Sequence, residues 1–298
     1  MAKLNSLMKF QAYYWSLVLV IILLPSSCYT DRSHHQSQGS QKLFCSPLAD
    51  SACSPASTAD SLRKLESLRD ILIGLEDTII FCLIERSKYA YNQYLYASSH
   101  NGLQSFIQSS ESVQATFGRY TLEEETPFSG SNFVIPTPPN CTKVLHRPAS
   151  CFDKSKEILT AYLDLLPNIT INGDDGHYAP TLATDLICLQ AISKRITLGK
   201  FVAEAKYNKD PKAYNATISE KNNEDDLMKM LTDTKVEKEV IQRVANKAEI
   251  FGQNIDPFNA SVVKQPKIDP SVISRFYENF MIPLTKQVEV TYLQHRLD

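Results

Sequence analysis

The stretch DSLRKLESLRDILIGLEDTIIFCLIER, residues 60–86, decides the fold. Leu62, Leu65, Leu68, Leu72, Leu75 and Ile79 recur at steps of three and four, the period of one helix face. Asp60-Ser61 stands ahead of them as a cap, because a side-chain oxygen there accepts from the unpaired N–H groups of a first turn. The period returns weakly over Gly102–Phe117 and more strongly at Asp153–Leu166, Pro180–Tyr207, Glu224–Phe251 and Asp269–Leu297. Pro167, the turn Gly173-Asp174-Asp175-Gly176, Asp210-Pro211, Pro257 and Pro266 punctuate these segments. No run of five residues alternates as a strand would. The pattern predicts an all-α fold, and helices longer than the usual ~11 residues favour an elongated multi-helix bundle.

Composition agrees. Of 298 residues, 43% are apolar and 21% charged, enough to bury a sizeable core. Lys and Arg number 31 against 33 Asp and Glu, so no basic field invites nucleic acid. At the N-terminus, Lys3 and Lys9 precede an apolar run, Leu17–Leu24, and then Pro25-Ser26-Ser27-Cys28. This is the pattern of a secretory signal over residues 1–28. The apolar run is short of the ~20 residues of a membrane span. Tyr13, Tyr14 and Trp15 lengthen it and leave an uncleaved anchor as the alternative reading. Residues 29–59 read as a flexible leader and 60–298 as a single helical domain. The destination expected is outside the cell or in the endomembrane lumen, with no stable membrane span after signal cleavage.

Asn140, Asn168, Asn215 and Asn259 open potential glycan-acceptor triplets. Close spacing of Cys45 with Cys53 and of Cys141 with Cys151, in Ser/Pro-rich segments, predicts two local disulfides. Cys82 and Cys188 lie in apolar helical runs and read as packed free thiols. No cysteine or histidine spacing matches a metal site.

Charges within apolar helices are the informative anomaly. Arg69 and Glu76 are seven apart, Arg195 and Lys206 eleven, Thr285 and Glu289 four, so each pair shares a helix face. Glu237 opens a helix at KVEKEV. From periodicity alone these are ordinary amphipathic edges. No nucleophile with its base, phosphate loop or metal cluster accompanies them.

The blocks SLRDILIGLEDTIIFCLIERSKY (67–89), CLQAISKRITLGKFVAEAKY (188–207), VEKEVIQRVANKAEIFGQ (236–253) and IPLTKQVEVTYLQHRLD (282–298) resemble the plant- and fungal-type chorismate mutases. GRYTLEEETPF (118–128) and NGDDGHY (172–178) match as well, so the resemblance runs from about Leu65 to Asp298. It implies an all-helical homodimer that rearranges chorismate to prephenate within one molecule, without cofactor, metal or covalent intermediate. It implies Arg69 and Arg195 as carboxylate clamps, with Lys206 and Glu289 as donors to the ether oxygen. Glu237 is implied as acceptor for the ring hydroxyl, Thr285 as a hydroxyl of the pocket and Glu76 as the group that orients Arg195. Regulated members often carry Gly-Ser where this chain has Ala179-Pro180. Pro180 has no N–H, so an effector site of Arg119, Ala179 and Pro180 is expected to be degraded. A helical binding protein that kept the fold and lost the reaction is the alternative. A drifting pocket would lose charged members, and this chain keeps the six implied ligands.

Overall fold

The computed structural model describes residues 52–97, 101–130, 133, 136, 141–220, 223–253 and 266–298. The expected signal over 1–28, and the leader as far as residue 51, lie outside the described residues. The rest of the expected leader does not behave as one. Ser54–Pro55 (β1) pairs antiparallel with Cys141–Thr142 (β2), and Cys53 is disulfide-bonded to Cys141. The start expected for the domain at residue 60 therefore moves toward the N-terminus.

The disulfide corrects both expected pairings. Cys53 bonds neither Cys45 nor any near neighbour, and Cys141 does not bond Cys151, although Cys151 is itself disulfide-bonded. Closeness in sequence was the wrong criterion, because the β1–β2 pairing brings residues 88 apart into contact. Cys82 and Cys188 are free and buried.

Helices fill the remainder. The segment expected as one helix from Asp60 to Arg86 is two, α1 (Ala56–Arg63) and α2 (Leu65–Arg86), separated by an extended Lys64. Then follow α3 (Gly102–Thr116) and α4 (Ser155–Ile169). The long α5 (Tyr178–Lys209) leads into α6 (Pro211–Ile218). The Glu224–Phe251 pattern also divides, into α7 (Glu224–Leu231) and α8 (Thr234–Ile250). Asp233 makes the break, its carboxylate accepting from the N–H groups of Lys235 and Val236. Asp210 and Asp269 cap α6 and α9 (Pro270–Phe276) in the same way, each followed by a proline whose missing N–H costs nothing in a first turn. A π-turn over Tyr277–Met281 joins α9 to α10 (Ile282–Gln294).

Helix α5 is the axis of the packing. It is buried on nearly every face, as expected of a helix whose apolar residues run all round it. Its N-terminal half packs in one apolar cluster with the end of α2, with α3, α4, α8 and α9. Its C-terminal half packs in a second with α1, the start of α2, α7 and the end of α10. Arg86 on α2 meets Asp185 on α5 at 2.7 Å with both side chains fully buried, and Tyr96 and Tyr162 donate to the same carboxylate. This network sets α2 antiparallel to α5. Helix α10 runs parallel to α5, and Gly199 lets them approach closely. A Cβ on Gly199 would stand 3.1 Å from Thr285 Cγ2 and 3.2 Å from the Thr285 carbonyl oxygen. Among the described residues no helix is long and apolar enough to cross a membrane.

Candidate active site

The close approach at Gly199 puts two expected site residues in contact. Arg195 Nη1 donates to Thr285 Oγ1 at 3.2 Å, and that hydroxyl donates to the Met281 carbonyl one turn earlier. Arg195 is only 6% exposed, yet it has no carboxylate partner, and its buried Nε has no hydrogen-bond partner among the described residues. A guanidinium withdrawn from water without a counter-charge is costly.

Three helical turns along α5, Lys206 Nζ donates to Glu289 Oε2 and to the Leu231 carbonyl, each at 3.0 Å. Burial raises the Glu289 pKa above the usual carboxylate value, with Lys206, Arg195 and Lys286 pulling the other way. Lys206, Arg195, Thr285 and Glu289 thus line one seam between α5 and α10. Glu237 reaches this region from α8, and its carboxylate is 3.0 Å from Lys286 Nζ on α10.

Arg69 approaches from α2. Stepping back 17 residues from Arg86, and forward equally from Asp185, brings Arg69 level with about residue 202 of α5. It therefore lies between Arg195 and Lys206 along the axis. It is exposed and has no hydrogen-bond or ion-pair partner among the described residues.

Glu76 corrects an expectation. Its carboxylate, 1% exposed, does not hold Arg195. It accepts from Arg243 Nη2 and Nε at 2.7 and 2.8 Å and from Lys247 Nζ at 3.0 Å. Lys247 also lies 2.6 Å from Asp77 Oδ1. The packing of α8 against α2 brings Arg243 and Lys247 to Glu76, whereas Arg195 turns toward α10. Sequence reasoning missed Arg243 and Lys247. The signal available was their four-residue spacing, which places two cations on one face of α8. It also missed Tyr277, a buried phenol of the π-turn on which Arg195, Glu76 and Arg243 all act electrostatically.

The expected effector residues do not come together within one chain. Arg119 is held by Glu125 at 3.0 Å and by Gln114 at 3.2 Å, and Glu125 also binds Lys194. Ala179 and Pro180 are in the first turn of α5, about 21 Å along that helix from Lys194.

The sequence pattern of the family Chorismate mutase type II matches residues 181–290, which span the α5, α8 and α10 elements of this site. The cytosolic chorismate mutase 2 of Zea mays is 42% identical over 245 residues, covering 78% of this chain and 96% of that protein. The chloroplastic chorismate mutase 1 of Zea mays is 39% identical over 247 residues, covering 78% and 79%. The crystal structure of the Aro7p chorismate mutase of Candida albicans in complex with L-Trp superposes with a TM-score of 0.74. It is 33% identical, over 80% of this chain and 94% of that one. These relatives, cytosolic and chloroplastic by name, overturn the secreted or luminal destination expected from residues 1–28. The reading of the four asparagines as glycan acceptors goes with it. At 42% identity across nearly the whole of a relative, with the same helical fold, the chain belongs to the chorismate mutase family of isomerases.

Proposed function

We propose that this chorismate mutase rearranges chorismate to prephenate by electrostatic clamping in the seam between α5 and α10. The reaction breaks one C–O bond and forms one C–C bond within the same molecule, with no net proton transfer. What a protein contributes is the folded substrate conformer and donors aimed at the ether oxygen, where negative charge grows. Arg195 and Arg69 take the two carboxylates. Lys206 and protonated Glu289 donate to the ether oxygen, Thr285 supports the Arg195 clamp, and Glu237 accepts from the ring hydroxyl. Glu76 and Asp77 with Arg243 and Lys247 form a charge-balanced wall beside them.

The observation that carries this reading is the buried Arg195 without a carboxylate, which a dianionic substrate supplies. The 3.0 Å contact of Lys206 with Glu289 supports the paired donors, since two groups so close reach one acceptor. We further propose a homodimer. Val113 and Phe117, four apart on α3 and its cap with Phe117 86% exposed, supply an apolar face suited to a second copy. Aromatic amino acids are proposed to alter turnover weakly, because Pro180 lacks an N–H to offer a ligand.

The test is to purify the full chain and follow loss of chorismate and appearance of prephenate, alongside Arg195→Ala and Arg69→Ala. Near-wild-type kcat/KM in Arg195→Ala with normal helicity overturns the site assignment.

A further inference from the structure

Lys206 and Glu289 meet where both of their helices end. Lys206 is three residues before Lys209, the last of α5, and Glu289 is five before Gln294, the last of α10. The closing turn of a helix leaves carbonyls without intrahelical partners and frays first. Two donors aimed at one oxygen need firmer placement than a fraying end gives, since a misplacement of 1 Å costs on the order of a hundredfold in rate.

A polar hub beside the pair holds both ends. Its centre is Glu204 on α5, which is 6% exposed. Glu204 Oε2 accepts from the Tyr292 hydroxyl of α10 at 2.6 Å and from Arg296 Nε at 2.7 Å. Glu204 Oε1 accepts from Arg296 Nη2 and from Asn208 Nδ2, each at 3.1 Å. The guanidinium thus grips the carboxylate with two parallel bonds, and it lies 4.3 Å from the centre of the Tyr207 ring. The Tyr292 hydroxyl also accepts from the His146 N–H at 2.8 Å. Glu204 precedes Lys206 by two residues and Tyr292 follows Glu289 by three, so the hub touches each helix within one turn of its donor. Arg296 stands past the end of α10, in a turn closed by its own N–H on the Leu293 carbonyl at 3.0 Å.

We propose that Arg296 is a positioning residue for the rearrangement: by clamping Glu204 it fixes the end of α10 against α5, so that Lys206 and Glu289 face one ether oxygen. Arg296 acts through Glu204 and Tyr292 and does not itself contact the substrate. Arginine suits the task because a lysine there offers one ammonium, with neither the two-pronged grip nor the flat face over Tyr207. The proposal rests on the reading of Lys206 and Glu289 as the ether-oxygen donors. An ion pair that contributed stability alone would change the rate equally whether or not Glu289 were present.

The test measures kcat, KM and Tm of the full-length protein beside Arg296→Ala, Arg296→Lys, Glu289→Ala and the double variant Arg296→Ala with Glu289→Ala. In Arg296→Ala, kcat falls about tenfold while KM stays within about twofold. The carboxylate clamps Arg195 and Arg69 are untouched, and what is lost is a contact that strengthens as charge grows on the ether oxygen. Arg296→Lys recovers part of kcat. In the Glu289→Ala background the same change costs about threefold or less, because the donor it aligns is gone. Should Arg296→Ala fail to fold, Arg296→Lys in the two backgrounds decides by the same comparison. Wild-type kcat in Arg296→Ala overturns the proposal, as does an undiminished loss in the Glu289→Ala background. Wild-type kcat in Glu289→Ala overturns the donor reading itself, and the positioning role with it.

Discussion

Lys206 on α5 and Glu289 on α10, 83 residues apart in sequence, meet at 3.0 Å in a buried seam. Desolvation and the ammonium act on the carboxyl in opposite directions, and burial prevails, so Glu289 holds its proton to a higher pH than a free glutamate does.

A pH dependence follows from that balance. Glu289 donates to a developing oxyanion only while protonated. As pH rises through its raised pKa the acid ionises, and kcat/KM falls on the alkaline side. Glu289→Gln keeps a donor that does not titrate, so it stays active with a flatter profile. Steady-state profiles between about pH 5 and 8.5 compare the two; superimposable profiles would mean that Glu289 is not the titrating donor.

Arg195→Ala separates catalysis from stability. Loss of a charge-assisted clamp lowers kcat/KM by two to three orders of magnitude, on the order of 2–4 kcal/mol. The fold keeps its stability or gains some, because a buried guanidinium without a carboxylate is removed. Thermal unfolding beside initial rates checks both; a large drop in Tm contradicts the account of Arg195 as an unpaired charge.

Glu76→Ala acts in the opposite sense. It strips Arg243 and Lys247 of a nearly inaccessible carboxylate. With both cations partly exposed, the loss is roughly 2–3 kcal/mol rather than the full cost of breaking a buried pair. A double-mutant cycle of Glu76 with Arg243 couples by about 1–2 kcal/mol, and one with Arg195 by close to zero. Strong coupling to Arg195 would restore the orienting role implied by the family resemblance.

The Cys53–Cys141 bond closes a loop of 88 residues. On chain-entropy grounds its removal by the double change Cys53→Ser and Cys141→Ser costs roughly 4–5 kcal/mol at most. Urea unfolding of the two proteins measures this, and non-reducing peptide maps show Cys53 joined to Cys141. Recovery of Cys141 joined to Cys151 instead would refute the pairing.

The residues alone determined what depends on near neighbours. The 3.6-residue period marked the longer helices, Asp210-Pro211 marked the end of α5 though not the helix α6 that follows it, and four blocks with their charges pointed by resemblance to a family and to Arg195, Lys206, Thr285 and Glu289. Helix breaks at Lys64 and Asp233 were illegible because they interrupt the apolar pattern without a proline or glycine. Only the tertiary structure decided which distant groups meet: Glu76 with Arg243 and Lys247 rather than Arg195, and Cys53 with Cys141 rather than the nearer cysteines. It also decided that α5 and α10 close at Gly199. Local periodicity tells which face of a helix a residue occupies. It carries no information on which other face arrives there, because helix packing, not chain distance, sets those contacts.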